Sequence, residues 1–114
     1  MKSICRITAI LCLAAPLFAL SVDEQFIDAC RNGNLKRAQE LLDEGAHLET
    51  RDGSDHQTAL VWAADNGYLP VVIMLVKRGA DINAQDDKGW TALSEASYMG
   101  RTSIVDFLLQ NKAS

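Results

Sequence analysis

The stretch Thr58 to Gly67, TALVWAADNG, is written again at Thr91 to Gly100 as TALSEASYMG. Between the two copies Thr58/Thr91, Ala59/Ala92, Leu60/Leu93, Ala63/Ala96, Gly67/Gly100, Val72/Val105 and Leu75/Leu108 pair at a spacing of 33. A more divergent copy precedes them at a spacing of 34, pairing Ala29/Ala63, Gly33/Gly67, Leu41/Leu75, Leu42/Val76, Gly45/Gly79 and Ala46/Ala80. The change from 34 to 33 places one extra residue in RDGSDHQT, residues 51–58. A fixed period of this size belongs to stacked supersecondary units, none of which can bury its apolar face alone.

The chemistry of one unit follows from its residues. Thr58 and Thr91 suit helix N-caps, because a hydroxyl there accepts from an unpaired backbone N–H. Leu60, Ala63 and Ala64 then fall on one face at helical spacing. Gly67 and Gly100 supply the left-handed conformation that ends a short helix. Pro70 suits the start of a second helix, where its missing N–H does no harm. Val72, Leu75 and Val76 form that helix's apolar stripe, Gly79 stops it, and INAQDDKG is a polar connector to the next Thr. Small alanines on the first helix let neighbouring units approach closely. Helix pairs are therefore expected near residues 22–44, 58–78 and 91–112, in an all-α solenoid of three stacked helix–turn–helix units joined by two hairpin-like finger loops.

The chain's opening, MKSICRITAILCLAAPLFALS, carries Lys2 and Arg6 and then an apolar run from Ile7 to Leu20. A basic head, an apolar stretch and a small-residue exit are the layout of a secretory signal peptide. Residues 1–21 are read as that signal, with cleavage after Ser21, or after Ala19 as the second choice. The rest, 22–114, is one domain with units near 22–52, 53–86 and 87–114. The expected location is periplasmic or secreted, and the chain's size and signal style suggest a bacterial protein. An uncleaved membrane anchor is the alternative, although about 14 apolar residues is short for a spanning helix.

Of the chain's 11 basic residues the signal takes Lys2 and Arg6, so nine stand against 15 acidic, a formal charge of −6. Such a surface disfavours nucleic acid and anionic lipid, both of which need a basic footprint. Cys30 becomes the single cysteine, so the domain is held by packing and not by an internal disulfide. Its position matches Ala64 and Ser97, which points to a buried structural thiol, with a mixed or intermolecular disulfide as the alternative.

Three segments together resemble the ankyrin repeat family: Gly79 to Leu93 (GADINAQDDKGWTAL), Asn66 to Asn83 (NGYLPVVIMLVKRGADIN) and Ala29 to Glu49 (ACRNGNLKRAQELLDEGAHLE). There are departures. Ala59 and Ala92 replace the proline of the family's T-P-L-H, and Val61 and Ser94 replace its histidine. Lys112 stands where Gly45 and Gly79 stand, and Ile73 takes a position held by Gln39 and Asp106, which suggests the outer face.

No catalytic constellation is visible. His47 sits in a connector and reads as exposed. His56 lies near Asp52 and Asp55, where a metal or acid–base site can be imagined, but the pattern also fits a solvated loop in which His56 replaces Gly89. No Gly-rich phosphate loop, catalytic carboxylate pair or metal-spaced Cys/His cluster is present, and no cofactor is expected.

The resemblance implies binding through a concave face made of fingers and first helices. Carried over position by position, that face comprises Asp28 and Arg31; then Ser54, Asp55, Gln57, Trp62 and Asp65; then Asp87, Lys88, Trp90, Glu95 and Tyr98. Large aromatics among polar neighbours have the composition of a binding hot spot, although Trp62 and Trp90 could instead pack as staple or core. The expected function is non-catalytic binding of another protein of the cell envelope, one with a basic patch, as an inhibitor, immunity-type or helper protein. The chain is expected to be monomeric when free. A membrane-tethered or self-associating scaffold, using Ile73, an uncut signal or Cys30, is the rival reading.

Overall fold

The computed structural model describes residues 21–113. They form six helices: α1 (Val22–Arg31), α2 (Leu35–Asp43), α3 (Ala59–Asn66), α4 (Leu69–Lys77), α5 (Ala92–Tyr98) and α6 (Thr102–Gln110). Each odd-numbered helix turns back into the next even one. The hairpins stack so that α1, α3 and α5 make one row and α2, α4 and α6 the other. This is the all-α solenoid that the period demands. No strand is present among the described residues, only an isolated antiparallel bridge between Arg51 and Thr58 in the first finger.

The helix starts follow from their caps. Thr58 accepts from the Val61 N–H, and Thr91 from the Ser94 N–H. Asn34 does the same for α2 through Arg37. The turn inside each unit is closed by the same backbone bond three times: Asn34 N–H to Ala29 O at 2.8 Å, Tyr68 N–H to Ala63 O at 2.9 Å and Arg101 N–H to Ala96 O at 2.8 Å. Gly33 at φ +75° and Gly67 at φ +84° make these reversals, and both sit under a side chain of the next unit. The Tyr68 ring lies over Gly33, so Tyr68 is an inter-unit contact.

The core runs through the stack. Phe26, Cys30, Leu41, Val61, Val71, Val72, Leu75, Ile104 and Leu108 are its largest fully enclosed side chains. Ala59, Ala63, Ala64, Ala92 and Ala96 are buried as well, which confirms the close helix approach read from their size. Units are also tied by polar bonds: Asn66 Nδ2 donates to the Arg31 carbonyl at 3.0 Å, and Arg101 Nε to the Asp65 carbonyl at 3.1 Å. Val61, where the family has histidine, is simply apolar core. Two expectations need correction. Val71 and Met74 join Val72 and Leu75 in burial, while Val76 is only half-buried. Ser97 holds the position of the packed residues Cys30 and Ala64, yet it is exposed, because among the described residues no further unit covers α5.

The signal peptide read from residues 1–21 lies outside the described residues except for Ser21. That residue caps α1: its hydroxyl accepts from the Glu24 N–H at 3.1 Å, and the Glu24 carboxylate accepts from the Ser21 N–H at 3.0 Å. Such a reciprocal box satisfies two otherwise unpaired donors. A cut after Ser21 removes it, whereas a cut after Ala19 keeps it. A chain beginning at Leu20 should therefore be more stable than one beginning at Val22 by about 1 kcal/mol, measured by urea unfolding. Equal stabilities would mean that the cap contributes nothing.

Candidate interaction surface on the concave face

Two aspartates organise the fingers. Asp52 Oδ1 accepts from the Gln57 N–H at 3.1 Å, and Asp86 Oδ1 accepts from the Lys88 N–H at 2.8 Å and the Trp90 N–H at 2.9 Å. Across each finger base a backbone bond closes the loop, Asp52 N–H to Gln57 O at 3.0 Å and Asp86 N–H to Trp90 O at 2.9 Å. Asp52 and Asp86 are 34 residues apart and so occupy one position of the repeat. Burial works against the charge of each carboxylate. The bonds from Trp62 and Gln57 to Asp52, and from Trp90 and Gln57 to Asp86, outweigh it and hold both below the usual value. Neither aspartate was among the sequence candidates for this face. Their signal was their shared register, visible only once the finger bonds are known.

The sequence candidates divide into struts and surface. Gln57 is corrected from contact residue to strut: it is 8% exposed, and its Nε2 donates to Asp86 Oδ2 at 3.3 Å and to Glu95 Oε2 at 3.2 Å. Trp62 is half-buried against the core, and its Nε1 donates to Asp52 Oδ2 at 2.6 Å. The Arg31 guanidinium stacks 4.4 Å from the Trp62 ring centroid and lies 3.8 Å from Asp52. Trp62 therefore acts largely as a staple between units one and two, the alternative left open by the sequence. Asp28 is exposed, within 3.9 Å of Arg31.

The second and third units present the open surface. Tyr98 is 76% exposed, and it meets the half-buried Trp90 edge to face, with ring centroids 5.5 Å apart at 87°. With Lys88, Gly89 and Ser94 these rings line a shallow cavity of about 350 Å³. Ser54, Asp87 and Lys88 are exposed, while Asp55 and Asp65 are half-buried. The fingers brace one another, since the Asp87 N–H donates to the Asp55 carbonyl at 3.1 Å. Glu95 sits among these acids. Burial first, then the charges of Asp65 and Asp86, raise its carboxyl above the usual value against the opposing pull of Lys88.

The signs of these shifts set a pH dependence. Asp23 is held low by the backbone and ring N–H groups of His47, so with Asp52 and Asp86 it stabilises the fold above the ordinary carboxylate range. That stability is lost as pH falls through their lowered values. Glu95 works oppositely: its charge is a penalty above its raised value and is relieved as pH falls through it. Glu95→Gln should therefore give a small rise in melting temperature at pH 7 that fades as pH falls through the raised value and is gone below 4.5. A gain that persists unchanged into acid would assign the effect to something other than charge.

The remaining candidates are structural. His56 does not join Asp52 and Asp55; its Nδ1 lies 2.7 Å from Asp87 Oδ2 instead. It holds φ +57° where Gly89 holds φ +82°, the substitution that the register implies. His47 is exposed and pairs with Asp23 at 3.1 Å. Cys30 is enclosed in the core, and burial pushes its thiol up to about 12, so it is an unreactive structural side chain. Among the described residues no group of three or more His, Cys, Asp and Glu is placed to hold a metal ion, and no helix is long and apolar enough to cross a membrane.

Comparison with known proteins agrees with this geometry. The family model for ankyrin repeats (3 copies) matches residues 26–114. The chain is 41% identical over 86 residues to ankyrin repeat and SAM domain-containing protein 6 of Rattus norvegicus, a match that takes in 75% of the chain but only 10% of that protein. It is 40% identical over 87 residues to the Notch-regulated ankyrin repeat-containing protein of Xenopus laevis, covering 74% of the chain and 76% of the relative. The human protein of that name is 38% identical over 87 residues. These relatives are vertebrate, and they give no support to the bacterial, exported character read from residues 1–21. What carries the resemblance is the stack itself, its inter-helix glycines and its capped first helices, and on these grounds the chain belongs to the ankyrin repeat family.

Proposed function

We propose that this chain is a non-catalytic binding module that engages a protein partner through the finger and first-helix face of units two and three. The observation that carries the reading is the Trp90–Tyr98 pair, an edge-to-face aromatic couple whose Tyr98 ring is left open to solvent over the half-buried Trp90. Exposed aromatic anchors of this kind supply much of the free energy in protein interfaces. The surrounding Asp55, Asp65, Asp87 and Glu95 suit a partner with a basic patch, and their charge speeds encounter more than it tightens the complex. The segment 1–21 supports export, with the partner in the periplasm or outside the cell, where an inhibitor, immunity-type or helper role is open to such a module.

The test is affinity capture with the processed chain as bait against an envelope extract of its own source. Wild type runs beside Tyr98→Ala, which touches little of the fold. A basic protein retained by wild type, lost by Tyr98→Ala and released by raised salt supports the reading. Equal retention by both moves the site away from the aromatic pair. Mass measurement of the exported form locates the cleavage. A chain that still begins at Met1 inside the cell overturns the placement outside it.

A further inference from the structure

The helix α4 reads LPVVIMLVK, and its apolar residues run round the helix and not along one stripe. Val71, Val72, Met74 and Leu75 are buried, while Leu69, Ile73 and Val76 are only half-covered on the remaining faces. A helix apolar all round belongs in an interior. Here its outer side lines an open groove of about 580 Å³ against α2, with Leu35, Gln39, Leu69, Ile73 and Met74 in the walls and Lys77 at one end. Nothing in the stack requires an apolar residue there. Gln39 and Asp106 hold the position of Ile73 in the sister units, and both are exposed.

The groove's two rims carry opposite charge in matching register. The end of α2 and its cap bear Glu40, Asp43 and Glu44, of which Glu40 and Glu44 each lie 3.4 Å from Arg37, and the end of α4 and its cap bear Lys77 and Arg78. Asp43 and Lys77 are 34 residues apart, so they stand level on neighbouring helices. Asp43 already meets Arg78 at 3.4 Å, whereas Lys77 pairs with no carboxylate among the described residues. A two-fold axis running along the groove would lay α2 of one copy over α4 of the other. It would set Asp43 against Lys77 twice and close Ile73 of each copy over the opposite Gln39. A surface that complements itself under a two-fold is what an isologous dimer uses.

We propose that the α2–α4 groove is a self-docking surface, its occupant a second copy of this chain. This departs from the monomer expected from sequence and is independent of the concave-face reading. The experiment is sedimentation velocity of the processed chain from low micromolar to millimolar concentration. Wild type should shift from monomer to dimer across that range. Ile73→Gln should weaken association by about tenfold or more, with its melting temperature unchanged because Gln39 occupies the same place harmlessly. Lys77→Glu and Asp43→Lys should each fail to dimerise alone, and an equimolar mixture of the two should recover the dimer. A wild type that stays monomeric throughout, a dimer indifferent to Ile73→Gln, or a mixture that fails to recover overturns the proposal.

Discussion

Gly33→Ala should destabilise the array by about 2–5 kcal/mol, far more than the same change at Gly100. Both glycines hold the left-handed conformation, at φ +75° and φ +74°. An L side chain there costs about 1–2 kcal/mol. The difference lies above the backbone. A Cβ at Gly100 meets nothing within 4 Å, whereas one at Gly33 lies 2.6 Å from Tyr68 Cδ1 and 2.9 Å from its Cγ. Cγ is the root of the ring, so the side chain cannot swing its end clear, and overpacking adds about 1–3 kcal/mol. Gly67 should fall between the two, since its nearest neighbours at 3.1 Å belong to the flexible Arg101 guanidinium. Urea midpoints rank the three variants. Equal losses at Gly33 and Gly100 would show that the Tyr68 contact is not rigid. The double variant Gly33→Ala/Tyr68→Ala should be less than additive, because the clash disappears with the ring.

Trp62→Ala should be comparably severe, at about 2–4 kcal/mol, and the loss should be in folding. The change removes a ring packed on the core, the Nε1 bond to Asp52 and the platform under Arg31. The Arg31 Nε, already enclosed without a hydrogen-bond partner, would then also lack its ring. Trp62→Phe keeps the platform and should lose only the charge-assisted bond, about 1.5–3 kcal/mol. Tyr98→Ala, by contrast, should cost under about 1 kcal/mol, the value of one exposed edge contact. Thermal melts of the three separate a staple from a surface anchor. A Trp62→Ala chain with an unchanged melting temperature would return Trp62 to the free surface.

The contrast between these two aromatics shows what a repeat reveals and what it hides. Register fixed the helices, their caps and their glycines, because those features recur in every unit and answer to backbone chemistry. It even located His56 at a glycine position. It could not say that Gln57 turns inward to bridge Asp86 and Glu95, because its counterpart Trp90 faces the open cavity. Nor could it foresee that Ser97 lies open while Cys30 and Ala64 are closed, because burial there depends on the next unit and not on the residue. Side chains that vary within a fixed frame take their roles from neighbours across the stack, and spacing does not encode those neighbours.

Among the described residues the middle unit is flanked on both sides, and five of the eight residues of α3 are buried. In a one-dimensional array each unit's persistence depends on its neighbours. The described array should therefore hold longest at its middle, with amide exchange slowest in α3 and α4. The Trp90–Tyr98 couple rides on the third unit, which among the described residues is covered on one side only. Its lifetime in a binding-ready arrangement should be shorter than that of the middle unit, and a partner that spans units two and three would lengthen it as it binds.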